Sequence, residues 1–206
     1  MKNKLKLLVL ESPWSTDLAD ETSVRPFIEG WADLRNIEIS YRMYHDKNDL
    51  EHWLSLFMAH PVLRICYIAG HGQGSRLKGL TKDINPSSIS KATKKRRNAA
   101  SCQKGILLGS CEIGADLRTL LNSCGKKISW VAGYDREIPW MEATICDLLF
   151  IDYMLFGRIK VSKDRTFLKR RGEFVSSETK LAKRAAKWVR IDCKLATRCG
   201  FKAVDR

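Results

Sequence analysis

Leu63-Arg64-Ile65-Cys66-Tyr67-Ile68-Ala69 runs straight into Gly70-His71-Gly72, and Gly105-Ile106-Leu107-Leu108-Gly109 runs into Ser110-Cys111. Each is a short, near-continuous apolar run ended by small residues, the pattern of a strand buried on both faces of a parallel sheet. Working outward, residues 4–11 (KLKLLVLE) predict a first strand bounded by Ser12-Pro13. Residues 23–36 place Val24, Phe27, Ile28, Trp31 and Leu34 at helical spacing. Residues 37–44 alternate apolar and polar as a half-buried strand near a sheet edge does. Residues 49–59 predict a second amphipathic helix, stopped by Pro61. Residues 76–80 predict a short strand and residues 86–97 a short helix. Beyond Cys111 come a helix over 115–121, a strand over 128–132 ending at Gly133-Tyr134-Asp135, and a long helix from Pro139 to about Phe156. Strands alternating with helices predict a mainly parallel sheet with helices on both faces.

Such sheets bind ligands at the carboxyl ends of their strands. Crossover connections keep the strands parallel, so His71 and Cys111 are expected on one rim. An imidazole beside a thiol is the equipment for nucleophilic acyl transfer: the thiolate attacks, and the histidine protonates the leaving amine. The helix expected three or four residues after Cys111 would favour a thiolate. The N–H groups of Gly72 and Cys111 would hold the oxyanion of a tetrahedral intermediate.

These motifs resemble the caspase-like fold of cysteine peptidases (clan CD), which includes caspases, metacaspases, gingipains, separase and bacterial CHAT-domain proteases. The resemblance rests on an apolar strand plus His71-Gly72, then an apolar strand plus Ser110-Cys111, and covers about residues 4–157. The 40-residue separation is similar to the roughly 50 of caspases. More narrowly, residues 10–149 resemble a small bacterial family of stand-alone caspase-like proteins without an assigned function. The resemblance implies a three-layer α/β sandwich, a His71–Cys111 dyad, protein or peptide substrates, and a setting in bacterial defence or regulated cell death. It also implies that the loops carrying Glu11 and Asp135 help form the pocket before the scissile bond, where two acids would favour Lys or Arg. Glu112-Ile113 after Cys111 departs from the caspase pentapeptide.

Hydrophobic residues at 44% and charged residues at 29% exclude a globally disordered chain. Lys and Arg number 37 against 23 Asp and Glu, a net charge of +14, but the surplus is local. Residues 158–206 carry 16 Lys/Arg against 5 Asp/Glu, whereas residues 1–157 carry 21 against 18. The expected division is therefore a caspase-like domain over 1–157 and a basic, mostly helical extension over 158–206, with its main helix over 178–198. That extension would dock nucleic acid or an acidic partner. An inactive scaffold that binds through it is the alternative to an enzyme.

No P-loop, zinc-ligand spacing or other cofactor motif is present, so no cofactor or metal is expected. The longest apolar stretch, residues 138–156, contains Glu142, Asp147 and Asp152 and does not read as a membrane span. Seven cysteines without a CxxC pair are expected as reduced thiols in the cytoplasm. The basic runs at 94–97 and 169–171 would be self-processing sites if the pocket takes basic residues.

Overall fold

The structure is a computed structural model that describes residues 3–17, 19–94, 102–157, 160–161, 168–169 and 181–206. In chain order the elements are β1 (Asn3–Glu11), α1 (Arg25–Leu34), β2 (Ile37–Met43), α2 (Lys47–Ala59), β3 (Ile65–Ala69), β4 (Gly72–Gln73), β5 (Arg76–Lys78), β6 (Asp83–Ile84), α3 (Ser87–Lys94) and β7 (Lys104–Gly109). A 3-10 turn (Ile113–Asp116) follows, then α4 (Leu117–Ser123), β8 (Ile128–Tyr134), α5 (Trp140–Phe156), β9 (Lys160–Val161), β10 (Leu168–Lys169), α6 (Leu181–Asp192), α7 (Lys194–Arg198) and β11 (Phe201–Asp205).

The central sheet has the order β11-β8-β7-β3-β1-β2. Its five strands β2, β1, β3, β7 and β8 are parallel, and only β11 runs antiparallel. Successive side chains of a strand point to opposite faces, and β1 shows the consequence. Leu7 and Val9 join one apolar layer with Ile28 of α1, Phe150 of α5 and Ala185 of α6. Leu8 and Leu10 join the other, with Leu54 of α2, Ile89 of α3 and Leu121 of α4. Helices therefore cover both faces, and the chain is a three-layer α/β sandwich as expected.

Local sequence accounts for the helix boundaries. Asp46 caps α2 by accepting from the N–H groups of Asn48 and Asp49, and Pro61 follows its end. Pro139 immediately precedes α5, and Gly157 ends it with φ +73°. The two-residue loop Gly74-Ser75, with φ +54° and +66°, gives the β4–β5 hairpin its tight turn.

The described part of 158–206 is built into the sheet. β11 pairs along β8, and α6 packs on β11 and α5 through Ala182, Ala185, Ala186 and Val189. The Asp205 carboxylate accepts from the N–H groups of Ala182 and Lys183, so the last strand caps this helix. Arg206 donates to the carbonyls of Leu121 (2.7 Å) and Cys124 (2.9 Å) at the end of α4. Part of the basic surplus thus does structural work, while Lys183, Arg184, Lys187 and Arg190 face outward from α6. The helix expected over 178–198 divides at Cys193 into α6 and α7. The clusters at 95–97 and 170–171 lie outside the described residues. Among the described residues, no helix is long and apolar enough to cross a membrane, and no His, Cys, Asp and Glu group has the makings of a metal site.

Candidate active site

Parallel pairing brings the carboxyl ends of β1, β3, β7 and β8 to one edge. Ala69 of β3 is in register with Gly109 of β7. His71 and Cys111 each lie two residues beyond that pair, on neighbouring strands spaced about 4.8 Å apart.

The two loops touch at Gly72. A side chain there would put its Cβ 2.2 Å from the carbonyl oxygen of Cys111 and 3.0 Å from its nitrogen, so only glycine permits this approach. On its far side the Cys111 loop is held by Gly114, whose Cβ would fall 2.5 Å from the Tyr134 carbonyl oxygen. Between these contacts Glu112 takes φ +59°, an uncommon conformation for a residue with a side chain, and its carboxylate accepts from Gly74 N–H at 2.7 Å. Lys78 N–H donates to the His71 carbonyl, so the next pair of the hairpin, Gly72 with Leu77, is a non-hydrogen-bonded one. The Gly72 N–H therefore points away from β5.

His71 is exposed. Its Nε2 lies 2.9 Å from the carbonyl oxygen of Trp14, and the two rings meet edge-on with centroids 5.0 Å apart. A carbonyl only accepts, so Nε2 carries the proton in this contact, which leaves the lone pair of the neutral ring on Nδ1. Cys111 is half-buried. Its Sγ accepts from the N–H of Ile138 at 3.4 Å and lies 3.6 Å from that residue's carbonyl oxygen. The helix expected close behind Cys111 is a 3-10 turn. The regular helix α4 starts only at Leu117, with the Asp116 carboxylate accepting from Thr119 N–H. Trp14 and Trp140 stand 6.1 Å apart and Phe27 meets Trp140 at 5.5 Å, which forms an aromatic wall beside His71. A groove of about 480 Å³ is lined by residues that include Gly74, Arg76, Ile113, Asp116 and Thr119.

The two acids expected in the pocket have different settings. Glu11 is 1% exposed, below the rim. Its carboxylate accepts from Trp14 Nε1, Ser23 Oγ, Val24 N–H and the Tyr41 hydroxyl. Both of its oxygens are thus occupied by donors within the chain. Asp135 is on the rim, but Lys202 of β11 reaches it at 3.0 Å and Arg136 at 3.5 Å. Trp14 and Glu112 escape a reading of motifs: Trp14 lies 57 residues from the histidine it touches, and the signal for Glu112 is only its place beside Cys111.

Asp147 of α5 lies directly beneath this edge. A Cβ on Gly109 would fall 2.4 Å from the Tyr67 ring and 2.6 Å from Asp147 Oδ2. The Tyr134 hydroxyl donates to Asp147 Oδ1 at 2.7 Å. Burial nevertheless pushes the carboxyl from 3.8 up to about 7. The folded protein thus keeps a proton that the unfolded chain releases near pH 4. This contribution to stability is complete below pH 4 and is lost as pH rises through about 7. Asp147→Asn is expected to leave melting near wild type at pH 4 and to raise Tm at pH 8, on the order of 5 °C. Thermal denaturation across that range checks it; a Tm difference that does not grow with pH contradicts it.

Among solved structures, the chain is similar to the crystal structure of caspase-1 from Spodoptera frugiperda. The TM-score is 0.50 and the identity 9%, over 77% of this chain and 72% of that one. The structure of pro-sf-caspase-1 aligns over 83% of this chain and 89% of that one, with TM-score 0.41 and 8% identity. No family model matches the chain, and no curated protein matches it. The fold is thus caspase-like, a mainly parallel α/β sandwich.

Proposed function

We propose that the protein is a cysteine peptidase acting through His71 and Cys111. The observation that carries this reading is the contact of the two strand-end loops, with the backbone of Gly72 against that of Cys111. The Trp14 carbonyl directs His71 Nδ1 to act as the base. Nδ1 takes the thiol proton of Cys111, and the sulfur attacks the scissile carbonyl carbon. The N–H groups of Gly72 and Cys111 stabilise the oxyanion. Collapse breaks the C–N bond, His71 protonates the departing amine, and water then hydrolyses the thioester. The Lys or Arg preference expected from Glu11 and Asp135 loses Glu11 as a pocket acid, and Asp135 is already met by cations. The aromatic wall is the surface beside His71 that a substrate side chain would meet, which favours apolar or aromatic residues there.

Thiol reactivity tests the dyad. Burial pushes up the thiols of Cys66, Cys124, Cys146 and Cys199. Cys193 is half-buried, as Cys111 is, and serves as the internal reference. Iodoacetamide followed by peptide mapping is expected to label Cys111 at least about tenfold faster than Cys193, and His71→Ala to slow only Cys111. Equal labelling of the two, insensitive to His71→Ala, overturns the reading.

A further inference from the structure

We infer that Glu11 is a positioning residue for His71, acting through Trp14; the inference rests on the dyad proposed above. In the described residues between Glu11 and α1 there is neither helix nor strand, so contacts alone place that segment. Within it, Trp14 supplies the hydrogen bond and the ring contact to His71, its carbonyl oxygen meeting Nε2 and its indole standing edge-on against the imidazole, while Asp20 acts on His71 only through its charge. The orientation of the imidazole therefore depends on where Trp14 sits.

Trp14 is fixed in direction by its indole N–H, which donates to Glu11 Oε1, while Trp140 flanks the ring without a hydrogen bond to it. The same Glu11 oxygen accepts from Val24 N–H at 2.8 Å, at the start of α1. The other oxygen accepts from the Ser23 hydroxyl at 2.7 Å and from the Tyr41 hydroxyl on β2. One carboxylate thus fastens the segment at Trp14 and again at Ser23 and Val24. Burying a carboxylate is unfavourable unless its acceptor sites are filled, and here four donors from three parts of the chain fill them. An apolar residue at this position would leave those donors without their acceptor and release Trp14, although the Trp14 carbonyl and His71 themselves are unaltered.

The experiment uses the full chain with Glu11→Leu, Glu11→Gln and Trp14→Phe. It reads the His71 ring-proton resonances by NMR, assigned with His71→Ala, and kcat and KM on a reporter peptide. In wild type, the indole 5.0 Å away displaces those resonances by its ring current. Glu11→Leu is expected to return them toward the values of a free histidine. It should also lower kcat about tenfold, with KM within about twofold, the usual scale for groups that orient a reacting side chain. Glu11→Gln keeps an acceptor oxygen for Trp14 and Val24 and is expected to restore both readouts.

A folded Glu11→Leu variant with wild-type resonances and kcat overturns the inference, and so does a Gln variant that behaves like Leu. If Glu11→Leu does not fold, Trp14→Phe decides, because it removes the indole donor and leaves the carbonyl; an unchanged kcat there overturns the role. If wild type itself hydrolyses no peptide, the peptidase reading falls, and the resonances of Glu11→Leu and Glu11→Gln still decide whether Glu11 places Trp14 against His71.

Discussion

Cys111→Ala is expected to lower peptide hydrolysis by about 10³-fold or more while the protein stays folded. Removing an attacking atom has effects of this size or larger in enzymes that form a covalent intermediate. The stability change should be small because the thiol is half-buried and its contacts are with the backbone of Ile138 alone among the described hydrogen bonds. A Tm within about 3 °C of wild type is the corresponding expectation. His71→Ala should fall as far, and the double variant no further, because nucleophile and base act as one unit. Turnover of the wild type's best reporter peptide, measured beside thermal denaturation, checks all three. Undiminished hydrolysis by Cys111→Ala would place the chemistry elsewhere.

Gly72→Ala is expected to cut turnover about 100-fold. Its added carbon would overlap the Cys111 carbonyl oxygen at 2.2 Å, and that oxygen belongs to backbone that cannot rotate aside. The two loops must part, and a displacement near 1 Å of a reacting group is enough for a loss of this order. The Gly114 contact on the opposite side limits how far the Cys111 loop can retreat, so the hairpin carrying Gly72 should take most of the movement. Gly30→Ala is the control, because nothing lies within 4 Å of its added carbon and turnover should be unchanged. Kinetics on the same peptide decide the point: equal rates for Gly72→Ala and Gly30→Ala would show that the close approach has no role.

The elements legible in the sequence are those whose pattern is local. β3 and β7 are continuous apolar runs because both faces are covered, and β2 alternates because it lies at the edge of the sheet. The α5 start after Pro139 also has a near neighbour as its cause. β11 is less legible. FKAVD does alternate in burial, yet five residues within a basic segment carry no sign that they pair antiparallel with β8. A charge count set this segment apart, whereas Asp205, Arg206 and Lys202 each find partners distant in sequence.

By itself, the sequence determined a parallel α/β fold and the placing of His71 and Cys111 at strand ends, because periodicity and crossover handedness act over short stretches. It also marked Glu11 as an acid at the rim. Only the tertiary structure decided what surrounds that acid: four donors close over it, the Trp14 indole among them. It likewise decided that Asp135 meets Lys202 and that Gly72 abuts Cys111. The physical reason is that hydrogen bonds and close backbone contacts depend on which chain segments meet, and the partners here lie from a few to more than sixty residues apart in sequence.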